Sequence, residues 1–230
     1  MRKLRSAAFT GKLATEAESV DGKLSKEIEH MFYAKVSAPE TLLNALCVEI
    51  QEQWGLWSPK TDKNAGSGSN RVRKTITKQI VAGKIDNTDD KVQYVMTTKL
   101  KMPDGSSLEV PLESSEAGLQ AFRLLAESGM IKHRYRFPID GTDMTWEVDM
   151  FIEPGESIHS GKYVGWAKID LEVPSFDTPI PELPRGFTDM FNSKIESPTP
   201  EQAEIIRKMQ GYLSLPNPHV TEVYPDVLPT

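Results

Sequence analysis

The chain has 230 residues, of which 38% are hydrophobic and 26% are charged, and its formal net charge is −6. This length and composition are typical of a globular protein that buries a core without disulfides, and the single cysteine, Cys47, fits a cytoplasmic location. The negative charge and the lack of any apolar run near ~18 residues argue against binding to duplex nucleic acid or insertion in a membrane, so a bound anion must meet a local basic cluster.

The first third of the chain predicts a tail, one strand and one helix. Residues 1–24 show no sustained hydrophobic period and are expected to form a tail or an arm over the domain, with an organelle transit peptide as the alternative. Lys26 to Val36 alternates as a strand does. Apolar residues then recur at helical spacing up to Trp54, which predicts a helix from Pro39 that ends at Gly55.

Further strands are predicted over 71–80, 91–101, 107–113, 131–139, 144–152 and 162–173. Ser114 and Ser115 are expected to cap a helix that stops at Gly129, and a second helix is expected from Pro200 to Tyr212 with Thr199 as its cap.

At least seven strands, mostly consecutive and joined by short turns, with helices as insertions, favour an α+β fold. We expect a closed, or nearly closed, antiparallel β-barrel or tunnel of about eight strands with helices packed outside. An open half-barrel is the alternative. The predicted organisation is a tail at 1–24, a tunnel domain at 25–175, and a Pro-rich C-terminal extension with one helix at 176–230.

Acids lie two residues apart on two of these strands. Glu27 and Glu29 point the same way from the first strand, as Asp170 and Glu172 do from the last. Carboxylates in such pairs suit hard cations such as Mg²⁺ or Mn²⁺. The alternative for either pair is a solvated strand face.

Bases lie on one face of three other strands: Arg71 and Arg73, then Lys99 and Lys101, then Lys132, Arg134 and Arg136. Arginine forks and lysine ammonium groups are typical partners of phosphate oxygens. Apolar residues such as Tyr135 alternate with the last set and can pack under helices, which favours a charged lumen over a charged exterior. Glu147 and Asp149 share one face of the next strand and are expected to pair with these arginines or to help bind metal.

These motifs resemble those of the CYTH, or triphosphate tunnel metalloenzyme, superfamily. Glu27-Ile28-Glu29 is similar to the family's opening Glu-x-Glu-x-Lys, and the order of elements agrees from about residue 25 to 175. The other matching segments are Lys132-x-Arg134, Trp146-Glu147-Val148-Asp149-x-Phe151 and Gly165-x-Ala167-x-Ile169-Asp170-Leu171-Glu172.

The resemblance implies an eight-stranded tunnel whose members hydrolyse triphosphates or cyclise ATP. It implies metal binding by Glu27, Glu29, Asp170 and Glu172, and phosphate binding by Arg71, Arg73, Lys99, Lys132, Arg134 and Arg136. Two positions depart from the family. Met31 stands where its lysine belongs, and Lys168 stands where an acid usually begins the last motif.

We therefore expect a phosphohydrolase dependent on Mg²⁺ or Mn²⁺ that acts on a small molecule containing a triphosphate, either a nucleotide or inorganic triphosphate. Glu27 and Glu29 are the expected catalytic residues. The alternatives are a class IV-type adenylate cyclase, a protein that binds a nucleotide or phosphorylated ligand without turnover, and an interaction protein whose tails engage partners. A homodimer is left open.

Overall fold

The computed structural model describes residues 22–57, 68–126, 128–151, 165–212 and 215–216. The strands, in chain order, are β1 (Ser25–Glu27), β2 (Glu29–Val36), β3 (Cys47–Trp57), β4 (Gly68–Val81), β5 (Lys84–Ile85), β6 (Lys91–Lys101), β7 (Ser107–Glu113), β8 (Ser128–Pro138), β9 (Thr145–Phe151), β10 (Trp166–Glu172), β11 (Phe187–Asn192) and β12 (Leu215–Pro216). The helices are a 3-10 helix (Pro39–Asn44), α1 (Glu116–Leu125) and α2 (Pro200–Tyr212).

Ten of these strands form one antiparallel path in the order β1-β7-β6-β4-β3-β8-β9-β10-β2-β11. The two short strands off this path are β5, which pairs with β4, and β12, which pairs with β8. Strand β3 lies in the middle, and every residue from Cys47 to Trp57 has a partner on β4.

The sheet is open, so the predicted closed barrel of about eight strands is wrong. Its hydrogen-bonded path ends at β1 and at β11. Only Ile28 separates β1 from β2, but β1 pairs with β7 whereas β2 pairs with β10 and β11. In the register that pairs Glu27 with Ser107, the residues that would face β2 belong to the turn before β7, where Met102 N donates to Ser106 O, so β7 cannot continue along β2. The edge of β2 away from β10 pairs instead with β11, which the proline-rich sequence after residue 174 did not predict.

The open sheet bends so that distant strands face each other. The charge of Lys168 on β10 lowers the pKa of Lys101 on β6, and the charge of Glu172 on β10 raises the pKa of Glu27 on β1. Such influences fade over about 10 Å, so these strands approach each other although they stand far apart on the path. We call the concave surface that carries these side chains the charged face, and its other members include Glu49, Arg71, Lys99, Arg134 and Asp149.

The opposite face of the sheet carries two apolar cores. The larger core includes Tyr135, Val148 and Ile169 from β8, β9 and β10, together with Ile205 and Met209 of α2. In the smaller core, Leu119 of α1 packs with Trp54 and Val72 of β3 and β4. The apolar residues that alternate with the bases of β8 are thus buried, as the sequence predicted, and the bases lie on the other side.

The predicted helix from Pro39 to Gly55 is wrong. The chain forms the short 3-10 helix and then β3. In this segment Ile50 and Trp54, four residues apart, fit strand alternation as well as the helical period, and pairing with both β4 and β8 satisfies the backbone as a strand.

The other two helices are confirmed. The side chain of Ser115 accepts a hydrogen bond from Gly118 N at 3.1 Å at the start of α1, and that of Thr199 accepts one from Gln202 N at 3.2 Å at the start of α2. Helix α1 ends at Leu125, earlier than predicted, because β8 begins at Ser128. The predicted tail lies outside the described residues except for 22–24. No helix in the described ranges combines the length and apolar composition that crossing a bilayer requires.

Candidate functional site

Strand β8 supplies the centre of the charged face. Lys132, Arg134 and Arg136 project from one side of the strand because side chains alternate, and the first two are buried. Strand β9 lies beside it in a register that sets Arg134 opposite Asp149 and Arg136 opposite Glu147. The sequence therefore brings bases and acids together as cross-strand pairs.

Arg134 lies at the centre of this network and contacts three acids. Its Nε lies 2.7 Å from Asp149 Oδ1 and its Nη2 lies 2.8 Å from Asp149 Oδ2. Its Nη1 pairs with Glu147, and its Nη2 reaches Asp170 Oδ2 at 3.2 Å. The Nζ of Lys132 lies 2.5 Å from Asp149 Oδ2. Of the two outcomes predicted for Glu147 and Asp149, the structure shows pairing with the bases of β8.

Strand β10 adds Lys168 and Asp170 to the same network. Lys168 lies opposite Asp149 and contacts Asp170, its neighbour two residues along. Asp170 is 1% exposed, and among the described residues its Oδ1 has no hydrogen-bond partner. This carboxylate, predicted as a metal ligand, is therefore engaged by Lys168 and Arg134.

Strand β3 contributes an acid that the sequence analysis missed. Arg136 Nε lies 2.5 Å from Glu49 Oε1, and Arg136 Nη1 lies 2.8 Å from Glu147 Oε1. Gln51 donates from Nε2 to Glu49 Oε2 at 2.7 Å. The predicted helix over this segment hid the alternation that points Glu49, Gln51 and Gln53 to the charged face.

The remaining bases lie toward β1, β4, β6 and β7. Lys99 Nζ contacts Glu109 and lies 3.5 Å from Glu27 Oε2, while Arg71 Nη2 lies 3.0 Å from Glu109 Oε2. Arg73 donates from Nε to Gln53 Oε1 at 3.3 Å. Glu109, on a strand that Pro111 marks as irregular, was also missed. Its alternation with Leu108 and Val110 was the available signal.

Carboxylates crowd together around Glu27. Burial raises the pKa of Glu27 to about 8, and the negative charges of Glu109 and Glu172 reinforce the shift against the opposing charge of Lys99. Glu172 is exposed at the end of β10, and Glu29 is half-buried on β2. Glu172 lies opposite Glu29 in the pairing of β10 with β2 and close enough to Glu27 to act on its pKa, so the two acidic strands meet here.

Cations crowd together beside these acids. Burial lowers the pKa of Lys101, and the charges of Lys194 and Lys99 lower it further, while Glu29 acts in the opposite direction. Lys194 lies in the turn after β11, where its backbone N–H donates to Asn192 Oδ1 at 2.8 Å. Lys194 was not predicted as a site residue, because that turn lies in the proline-rich extension.

The pKa values of the central network reflect both burial and pairing. Burial opposes ionisation of Asp149, but the charges of Arg134 and Lys132 outweigh it and hold the pKa of Asp149 far below its usual value. Burial lowers the pKa of Lys132 to about 7, and the neighbouring Arg134 adds to that shift. Burial raises the pKa of Asp170 to about 6. Asp149 is therefore held in its ionised form, whereas burial disfavours the charged forms of Lys132 and Asp170 beside it.

The described residues contain no group of three or more His, Cys, Asp or Glu side chains arranged to hold a metal ion. Mg²⁺ commonly binds through one or two carboxylates together with phosphate oxygens of a ligand. The crowded carboxylates of Glu27 and Glu172 fit that mode, because a cation would offset both the burial and the neighbouring negative charges that raise the pKa of Glu27.

No family model and no curated protein matches the chain. The crystal structure of the hypothetical protein NE1496 aligns with 71% of this chain and 88% of its own, at 19% identity and a TM-score of 0.35. The Schizosaccharomyces pombe Mediator head module aligns with 67% of this chain and 86% of that one, at 14% identity and a TM-score of 0.39. Neither likeness carries an argument about function.

Proposed function

We propose that the charged face binds a small molecule containing a triphosphate together with Mg²⁺ or Mn²⁺, and hydrolyses one of its phosphoanhydride bonds in the cytoplasm. One observation carries the proposal: acids crowd around Glu27 next to the place where lysines crowd around Lys101. A polyphosphate that brings a divalent cation carries both signs of charge. It would relieve both repulsions at once.

The phosphate-binding role falls first to the bases nearest this junction. Lys99 and Lys101 lie on β6, and Arg71 and Arg73 lie on the neighbouring β4. Arg71 and Lys99 pair with a common acid, Glu109, so an incoming phosphate group would compete for cations that already point to one place. Lys132 and Arg134 are more deeply buried and would support the site through their ion pairs, with Arg136 beside them on β8.

Glu27, Glu172 and Glu29 are the residues that would hold the divalent cation. When bound, that cation would neutralise the charge that builds up on the phosphate oxygens. Glu27, whose pKa is about 8, would give up its proton on binding, and Lys99 would then hold the ionised carboxylate in place. Positioning and electrostatics of this kind supply most of the rate in phosphoryl transfer.

The second candidate is binding of the same ligand without turnover. It is favoured by the contact of Lys168 with Asp170, which leaves fewer acidic oxygens for a metal ion. The two candidates share the ligand and differ only in the release of product.

Phosphate release tests the first candidate. Purified protein is incubated with inorganic triphosphate and with nucleoside triphosphates, in Mg²⁺, in Mn²⁺ and in EDTA. We expect release only with a divalent cation, and its loss in a Glu27→Ala, Glu29→Ala double variant. The control variant, Glu204→Ala, removes an acid from the exposed face of α2 and should retain activity. Calorimetric binding without release would select the second candidate, and neither binding nor release across the panel would contradict both.

A further inference from the structure

Lys168 sits among buried acids rather than in solvent. It is 8% exposed, its Nζ contacts Asp170, and the same Nζ lies 3.9 Å from Asp149 Oδ2. Asp149 and Asp170 are themselves 0% and 1% exposed. An ammonium group in this position is enclosed by the two carboxylates that face it from β9 and β10.

The charges around Lys168 balance. Three basic side chains, Lys132, Arg134 and Lys168, contact three acidic ones, Glu147, Asp149 and Asp170, so their formal charges cancel. The adjoining pair of Arg136 with Glu49 adds one charge of each sign. A buried network that is neutral as a whole has no electrostatic reason to recruit another cation.

We infer that the ammonium group of Lys168 neutralises Asp149 and Asp170 in place of a metal ion, and that it thereby excludes a divalent ion from this carboxylate pair. Metal binding on the charged face is then confined to the acids around Glu27, of which Glu29 also lies near enough to act on the charges of Lys168 and Asp170. Asp170, expected from the sequence to be a metal ligand, becomes part of a permanent ion-pair network. The inference concerns the same face as the proposed function but does not need turnover.

The geometry explains why a divalent ion cannot simply displace the lysine. Ejecting the ammonium group would leave a cation buried on β10 without its partners, or would force the strand to move. Asp170 Oδ2 also accepts a hydrogen bond from Arg134 at 3.2 Å, so a metal ion there would meet a second positive charge. Once Lys168 is removed, however, one negative charge of the network is uncompensated, and a metal ion could approach Oδ1 of Asp170, which, unlike Oδ2, has no hydrogen-bond partner among the described residues.

Manganese binding without any phosphate tests the inference. Free Mn²⁺ is measured by electron paramagnetic resonance in the presence of wild type, Lys168→Met, and Lys168→Met with Asp170→Asn. We expect Lys168→Met to bind one more Mn²⁺ per chain than wild type and the double variant to lose that extra ion. Lys78→Met is the matched control, since Lys78 is also buried and its ion pair within the described part of the chain is with a single acid, Asp90, at 3.0 Å. It should gain no ion.

A second variant keeps the test decisive if Lys168→Met does not fold. Asp170→Asn in the wild-type background should leave Mn²⁺ binding unchanged, because Asp170 is not a ligand while Lys168 is present. Loss of Mn²⁺ binding in Asp170→Asn would overturn the inference, as would a folded Lys168→Met that binds no extra ion. Because these measurements use the metal alone, they can fail or succeed independently of hydrolysis.

Discussion

Replacement of Arg134 by methionine should destabilise the protein severely. Arg134 is 8% exposed and contacts three acids, including two oxygens of Asp149 at 2.7 and 2.8 Å. Methionine fills much of the same volume but leaves Asp149, Glu147 and Asp170 buried with fewer partners. Breaking a buried ion pair from one side costs about 3–5 kcal/mol. That is a large part of the ~5–15 kcal/mol that a domain has in total.

The loss should depend on pH with a definite sign. In wild type the pKa of Asp149 lies below its usual value, so its contribution to stability is present at neutral pH and is lost only in strong acid. Without Arg134 the buried acids would be easier to protonate when folded than when unfolded. The folded variant would then bind more protons than the unfolded variant. Its loss of unfolding free energy relative to wild type should therefore become smaller as the pH falls from 8 toward 5.

Urea unfolding of wild type and variant at pH 8 and at pH 5 measures both effects. Arg207→Met is the control, because Arg207 also pairs with a carboxylate, Glu204 at 2.8 Å, but is 72% exposed. A surface pair of this kind contributes at most about 1 kcal/mol. Equal losses in Arg134→Met and Arg207→Met, or a deficit that grows as the pH falls, would refute the account of the buried network.

Three further predictions concern single positions. The pKa of Glu27 is raised from 4.5 to about 8, so the folded state stays protonated at pH values where the unfolded state does not. Wild-type stability should therefore fall as the pH rises from 4.5 to 8, by at most ~1.4 kcal/mol per pH unit. Glu27→Gln should flatten this part of the plot of urea midpoint against pH. Gly129→Ala places a Cβ 2.7 Å from the Trp54 ring and should cost about 1–3 kcal/mol with a shifted fluorescence maximum; an unchanged midpoint would contradict the packing. Ser115→Ala removes the cap of α1 and should cost about 1 kcal/mol by the same assay, whereas Ser115→Asp should retain most of the stability.

The alternation of β8 could be predicted from the sequence because both of its faces are well defined. Tyr135 and its apolar neighbours must be buried, and that requirement alone sends Lys132 and Arg134 to the other side. The same logic placed Asp149 and Glu147 correctly. The carboxylate pairing followed from register, which an antiparallel hairpin with a short turn largely fixes.

The parts that could not be predicted depend on contacts between distant segments. Strand β3 satisfies helical and strand periods alike, and only its two neighbours decide between them. Strand β11 is six residues long and is formed by pairing with β2, so no local signal separates it from the proline-rich segment before it. The open sheet depends on the register of β7 against β1, which also joins distant segments and gives no local signal.

The most direct test of the account is a crystal structure with a nonhydrolysable triphosphate analogue and Mn²⁺. The proposal predicts an anomalous peak within ~2–2.5 Å of a carboxylate oxygen of Glu27 or Glu172, with phosphate oxygens on Lys99 and Lys101. Ligand bound on the apolar side of the sheet, or a charged face with neither peak nor phosphate at saturating ligand, would contradict it.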